Sequence, residues 1–191
     1  GRPKVIGVDV ATGEGADMSV IALREGRKVT RLDKHRCDTM TLAAHVVEMY
    51  NSEKPDALFV DGIGVGTGLV ARLRQLNLPV VSVNAGVSAD NAEKYRNKRS
   101  EMWGRMRDWL TEGADIPDDA NLKEDLTGIE YFPTDKQQIA LERKKDMRSR
   151  GLPSPDCGDA LALGFAYPVA LRDAKKAAND DSPVLEFAWM G

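Results

Sequence analysis

Twice in this chain, a short apolar run of the kind that fills the middle of a β-sheet ends on a carboxylate. The first is KVIGVDV at residues 4 to 10, where Asp9 stands between Val8 and Val10; the second is ALFVD at residues 57 to 61, closing on Asp61. Runs this short and this rich in Val and Ile read as strands buried on both faces, so both belong in a sheet covered by helices. An ionised carboxylate in such surroundings is costly unless a cation or hydrogen-bond donors meet it.

The intervening segments supply the rest of the sheet. After a turn at residues 13 to 17, SVIALR (19 to 24) runs back along the first strand, and Glu25-Gly26 turns the chain into RKVTRLD, whose polar and apolar positions alternate. Three strands joined by short turns form an antiparallel meander. Thr39 or Thr41 caps a helix through Tyr50, with Leu42, Val46, Met49 and Tyr50 on one face, and Pro55 breaks it. Beyond Asp61, the turn DGIGVGTG leads into a helix ending near Leu76, and LPVVSVN (78 to 84) reads as a further buried strand. The order strand, strand, strand, helix, strand, helix, strand predicts an α/β fold whose mixed sheet joins the meander to parallel strands, with helices on its faces.

The second half is more helical. The spacing of Tyr95, Met102, Met106 and Trp109 predicts a long helix from Ala92 to Leu110, and a short helical piece is expected over Asn121 to Leu126. IEYFP and QIALE, within residues 128 to 142, read as a small hairpin, and RKKDMRSR as a basic helical turn. A final helix is predicted from Asp156 to residue 177, kinked at Pro168. Residues 179 to 191 have no period and read as a tail, which leaves residues 1 to 178 as one domain.

At 191 residues and 42% hydrophobic content the chain can build one full core. No apolar run approaches the roughly 20 residues of a membrane span, and the start lacks the pattern of a secretory signal, so a soluble intracellular protein is expected. The opening Gly1-Arg2-Pro3-Lys4, with no initiator Met, reads as an excised domain or an expression scar. Cys37, Cys157, His35 and His45 do not form the paired spacing of a zinc site.

A third acid joins the first two. Asp159 shares a helical face with Ala162, Leu163 and Ala166, a buried face on which capping does not explain a charge. Asp156, after Ser154-Pro155, suits the first turn of that helix, where the dipole favours an acid; it is a reserve ligand, as is Asp17, which also suits a plain turn. Carboxylates gathered without His or Cys form an oxygen-only site fitted to Mg²⁺ or Mn²⁺. Two such ions ~4 Å apart can hydrolyse a phosphodiester without a protein nucleophile.

The formal charge of -3 speaks against a nucleic-acid partner only as a whole-chain sum. Between residues 94 and 107, Lys94, Arg96, Lys98, Arg99, Arg105 and Arg107 face one acid, Glu101, and between 141 and 150 five cations, among them Lys144 and Lys145, face Glu142 and Asp146. Such clusters can hold phosphates, although most charged helix faces are merely solvated. Arg99 differs, falling near Met102 and Met106 on the helical wheel, and Lys144 or Lys145 can offset charge at a scissile phosphate. Trp103 and Trp109 read as core.

VIGVDVATGEGADMSVI, FVDGIGVGTGLVARL, YRNKRSEMWGRMRDWL and SPDCGDALAL, in this order between Lys4 and Phe165, resemble the C-terminal nuclease domain of the large terminase subunit of tailed bacteriophages. The resemblance implies a ribonuclease H-like fold and cleavage of concatemeric double-stranded viral DNA during genome packaging. It also implies an acidic triad at Asp9, Asp61 and Asp159 holding two Mg²⁺ or Mn²⁺ ions. The expected partners are an upstream ATPase domain of the same protein, whose GxxxxGK[ST] loop is missing from this chain, the portal and the small terminase subunit; the expected compartment is the cytoplasm of the infected host. On the residues alone, rivals stand beside this reading. Gly66-Thr67-Gly68-Leu69-Val70-Ala71 matches the GxGxxA of a dinucleotide-binding turn, but after the fourth strand rather than the first. An actin-like or sugar-kinase fragment needs a second domain, and a non-catalytic DNA-binding or motor-docking module needs only the basic clusters.

Overall fold

The computed structural model describes residues 1–12 and 17–172. The expected tail at 179 to 191, the boundary at 178 and most of the turn at 13 to 17 lie outside the described residues. The main sheet comprises β1 (Lys4–Asp9), β2 (Ser19–Glu25), β3 (Lys28–His35), β4 (Ala57–Asp61) and β5 (Val80–Val83), in the spatial order β3-β2-β1-β4-β5. β1, β2 and β3 run antiparallel, whereas β4 pairs parallel to β1 and β5 parallel to β4. This is the mixed sheet expected from the strand order, with β1 at its centre.

Each face of the sheet has its own apolar layer. Ile6, Val8, Leu58 and Val60 meet Leu42, Val46 and Met49 of α1 (Thr39–Glu53) and Leu69 and Leu73 of α2 (Gly66–Gln75). On the opposite face Val5, Ala22 and Phe59 meet Met102, Trp103 and Met106 of α3 (Lys98–Thr111), Leu122 of α4 (Ala120–Gly128) and Ala160 and Leu163 of α6 (Asp156–Leu163). The alternation of β1 explains the division, since successive side chains point to opposite faces. β6 (Tyr131–Pro133) and β7 (Ile139–Leu141) form the separate small hairpin, followed by α5 (Lys144–Ser149). No helix among the described residues is long and apolar enough to cross a membrane.

Several boundaries move. α1 is capped by Asp38, not by Thr39 or Thr41: its carboxylate accepts from the Thr41 amide, and the helix continues to Glu53. α3 begins at Lys98 rather than Ala92, because Asn97 caps it through the Ser100 amide while Tyr95 bridges to Ile139 of the hairpin. β5 is an edge strand with Val81 exposed, not a strand buried on both faces. The last helix stops at Leu163 instead of running on to a kink at Pro168. Tertiary contacts win there: Phe165 turns onto Trp109, ring centroids 5.4 Å apart, and the Arg24 guanidinium stacks over it.

Candidate metal centre

The parallel pairing of β1 and β4 sets Val8 beside Val60, so the residues that follow, Asp9 and Asp61, come to the same carboxyl edge. Asp159 reaches that edge from α6, which lies across β1 at its one glycine. A Cβ on Gly7 would stand 2.1 Å from the Ala160 carbonyl oxygen, so only glycine admits the helix this close. Gly7 and Asp9 share a strand face, and the helix that rests on the first delivers Asp159 toward the second. α6 starts at Asp156, as the sequence predicts, so Asp159 falls within its first turn.

The three acids are in unlike electrostatic states. Burial pushes the Asp9 carboxyl well above the usual range; Lys144 opposes this, and the neighbouring charges of Asp159, Asp156 and Asp61 reinforce it. Asp9 accepts no hydrogen bond among the described residues although it is buried. Asp61 is also raised by burial, partly offset by the Ile63 amide, which reaches its Oδ1 at 3.4 Å, and by Lys144. For Asp159, burial works upward but is outweighed by Arg99 and Lys144, which hold it below the ordinary range.

The partners of Asp159 divide by oxygen. Oδ1 accepts from the Trp103 indole Nε1 at 2.9 Å and from Arg99 Nη2 at 3.3 Å. Lys144 Nζ lies 2.8 Å from Oδ2 as an ion pair, yet outside the angular range of a hydrogen bond, so that Oδ2 has no aligned donor. Arg99 is fixed further by donating to the Glu142 carbonyl at 2.7 Å. Lys144 is half-buried; burial would lower its pKa, but Asp159 and Asp9 outweigh that and raise it. The ammonium therefore stays charged and balances the acidic cluster.

The two reserve acids separate. Asp156 accepts from the Met18 amide at 3.3 Å and is among the charges acting most strongly on Asp9, whereas Asp17 accepts from Thr12 and acts on Asp156. Lys98 is corrected as a phosphate contact: it is 1% exposed, with Nζ 2.9 Å from Asp90 and 3.6 Å from Glu101. Its charge is consumed in a buried network that also includes Arg105. Arg96 and Lys145 are exposed. The glycines after Asp61 serve close packing, since a Cβ on Gly66 would stand 1.7 Å from the Asp61 carbonyl and one on Gly62 1.7 Å from Ser82 Oγ. That accounts for Gly66, the first glycine of the GxGxxA match, without a dinucleotide.

Two residues escaped the sequence reading. Trp103 was assigned to core, and the clue to its second role was its spacing four residues after Arg99 on one helix face. Asp125 gave no such clue. Its Oδ2 accepts from the Gly158 amide at 3.0 Å, capping from α4 a helix that has no side-chain cap of its own, and burial pushes its carboxyl up to about 7.

The donor set fits a hard divalent cation. Asp9 is a buried carboxylate crowded by like charges, Oδ2 of Asp159 has no aligned donor and is ion-paired with Lys144, and all candidate ligands are oxygens. Among the described residues no three acidic, thiol or imidazole side chains are grouped closely enough, as they stand, to hold a metal ion. Lys144 sits among the acids in its place.

No protein-family model and no curated protein matches the sequence. Solved structures do. The nuclease domain of the large terminase subunit gp2 of bacterial virus Sf6 superposes with a TM-score of 0.73 at 21% identity, covering 87% of this chain and 89% of that one. The large terminase nuclease from thermophilic phage G20c gives 0.64 at 14% identity over 86% and 82%, and the Thermus phage P74-26 large terminase nuclease domain gives 0.60 at 15% over 86% and 78%. The Sf6 domain has been solved with manganese and the G20c domain with magnesium. The chain thus resembles these domains in structure, and its fold is the ribonuclease H-like fold of phage large terminase nucleases.

Proposed function

We propose that this chain is a nuclease of phage DNA packaging: a metal-dependent endodeoxyribonuclease that cuts concatemeric viral double-stranded DNA. The observation that carries the reading is the gathering of Asp9, Asp61 and Asp159 at one sheet edge beside Lys144 and Arg99, in a fold shared with terminase nucleases. Asp9, Asp61 and Asp159 would hold the Mg²⁺ or Mn²⁺ ions, with Asp156 the nearer reserve ligand and Asp17 the more distant. When bound, two ions would supply an activated water and stabilise the leaving oxygen of the phosphodiester.

The chain's own groups set up that chemistry. Arg99 and Trp103 fix the Asp159 carboxylate, and Asp125 fixes the helix that carries it. Lys144 balances the acids and is placed to meet a phosphate that approaches them. Arg96 and Lys145, exposed, are the proposed contacts to more distant phosphates. Residues 1 to 178 are proposed as the nuclease domain, working in the host cytoplasm with an ATPase domain of the same protein, the portal and the small terminase subunit.

Incubating the protein with supercoiled plasmid and Mg²⁺ or Mn²⁺ tests the reading. Nicking or linearisation is expected, abolished by EDTA and by Asp9→Asn, Asp61→Asn and Asp159→Asn. Cleavage that survives all three substitutions would refute the assignment; NAD binding without cleavage would favour the dinucleotide reading, and a DNA shift without cleavage the non-catalytic module.

A further inference from the structure

We propose that Trp103 is a positioning residue for the metal centre: its indole N–H commits Oδ1 of Asp159, leaving Oδ2 as the oxygen that binds the divalent ion. The inference rests on the metal-ligand reading of Asp159 and adds which oxygen binds and what selects it.

An aspartate carboxylate has two equivalent oxygens and a rotatable bond, so a ligand role alone does not say which oxygen faces the metal. Here the surroundings are asymmetric. Trp103 Nε1 lies 2.9 Å from Oδ1, and both residues are buried, so water does not compete for the bond. The indole nitrogen is donor only, with one hydrogen fixed in the ring plane, and the contact therefore has one polarity. Arg99 Nη2 adds a second donor to the same oxygen at 3.3 Å. Oδ2, equally buried, has no aligned donor and faces only the Lys144 ammonium.

The ring itself has little freedom. A Cβ on Gly158 would stand 2.4 Å from Trp103 Cη2, which means that the indole lies against the backbone immediately before Asp159. Trp103 thus packs on the helix and orients the carboxylate with the same ring. Groups that hydrogen-bond a metal-ligating carboxylate commonly govern metal affinity by ~10–100-fold. Trp103→Phe removes the N–H together with the outer part of the fused ring, and keeps an aromatic side chain in the core.

The experiment pairs calorimetric titration with Mg²⁺ and a proton–nitrogen correlation spectrum of the tryptophan indoles. The chain has three tryptophans, Trp103, Trp109 and Trp189, so the Trp103 signal is the one missing from Trp103→Phe. In the wild-type protein this signal is expected to move with Mg²⁺ along the calorimetric saturation curve, and to shift upfield in Asp159→Ala. The Trp109 signal, whose N–H donates to the Gly26 carbonyl, should stay in place. Trp103→Phe, folded by its spectrum, is expected to bind Mg²⁺ about 10-fold more weakly. Unchanged affinity in that variant, or a Trp103 signal indifferent to Asp159→Ala, overturns the inference while leaving the metal reading intact. A wild-type protein that binds no Mg²⁺ overturns the metal reading and this inference together. Should Trp103→Phe fail to fold, Trp109→Phe and Trp189→Phe assign the Trp103 signal by elimination, and the wild-type and Asp159→Ala spectra then decide the question.

Discussion

Replacing Gly7 by alanine tests the contact that brings Asp9 and Asp159 to one place. In an unobstructed strand this change is mildly favourable, by about 0.5–1 kcal/mol, because glycine gives up the most backbone entropy on folding. Here the new Cβ would stand 2.1 Å from the Ala160 carbonyl oxygen and 3.2 Å from Leu163 Cβ. The first neighbour is helix backbone and cannot rotate away, so α6 must lift from β1 by about 1 Å. Forcing an extra methyl into a packed core costs about 1–3 kcal/mol, and for a chain of this size each kcal/mol lowers the Tm by about 2–4 °C. The lift also moves Asp159 relative to Asp9, and a 1 Å misplacement at a reacting centre can cost about 100-fold in rate. Thermal unfolding by circular dichroism and plasmid nicking in Mg²⁺ read the two effects separately. Gly68→Ala is the control: it lies in α2, the nearest atom to its added Cβ is Thr39 Cγ2 at 3.8 Å, and it should raise the Tm slightly. A Gly7→Ala protein as stable and as active as the wild type would show that the close helix crossing does not hold the site together.

The buried cation offers a second test. Lys98→Met leaves the buried Glu101 with only the Arg105 guanidinium as an ion-pair partner beside the Asp90 amide and should cost about 3 kcal/mol, while the salt dependence of DNA binding keeps its slope; a slope reduced by about one would return Lys98 to the phosphate contacts. The pH dependence of stability follows from Asp125, which holds its proton to about pH 7 when folded against an ordinary value of 3.8. Between those values the folded state binds more protons than the unfolded, so stability falls as pH rises through the window and levels off above it. Asp9, Asp61 and Asp156, raised by burial, act in the same direction, and Asp159, lowered, acts against them. Asp125→Asn keeps an acceptor for the Gly158 amide, and its metal-free Tm should fall less steeply between pH 4 and 7; a slope as steep as the wild type's refutes the attribution to burial of this carboxyl.

Residues 4 to 83 were the more legible half, because their elements are specified by period and by local turn chemistry. Alternation and Val/Ile content predict β1 to β4, each of the two central strands ending on its acid, and the parallel pairing of β1 with β4 then brings Asp9 and Asp61 to one edge. Errors cluster where distant residues decide. The edge position of β5 depends on which strand finds no further neighbour, the late start of α3 on a bridge from Tyr95 to the hairpin, and the early end of α6 on Phe165 turning to Trp109 and Arg24. Lys98 shows the same limit for charge. Its place in a basic run says nothing of the carboxylates of Asp90 and Glu101 that fold around it.

The sequence by itself determined the mixed α/β sheet, the three acids and the cations near them, because hydrophobic period and the cost of burying a charge act on residues close in the chain. Only the tertiary structure decided how those groups are used. It put α6 on Gly7, gave Asp159 one oxygen held by Trp103 and another ion-paired with Lys144, set Lys144 among the acids and withdrew Lys98 into the core. These outcomes depend on distances between residues as far apart as Trp103 and Asp159, which packing fixes and linear spacing does not encode.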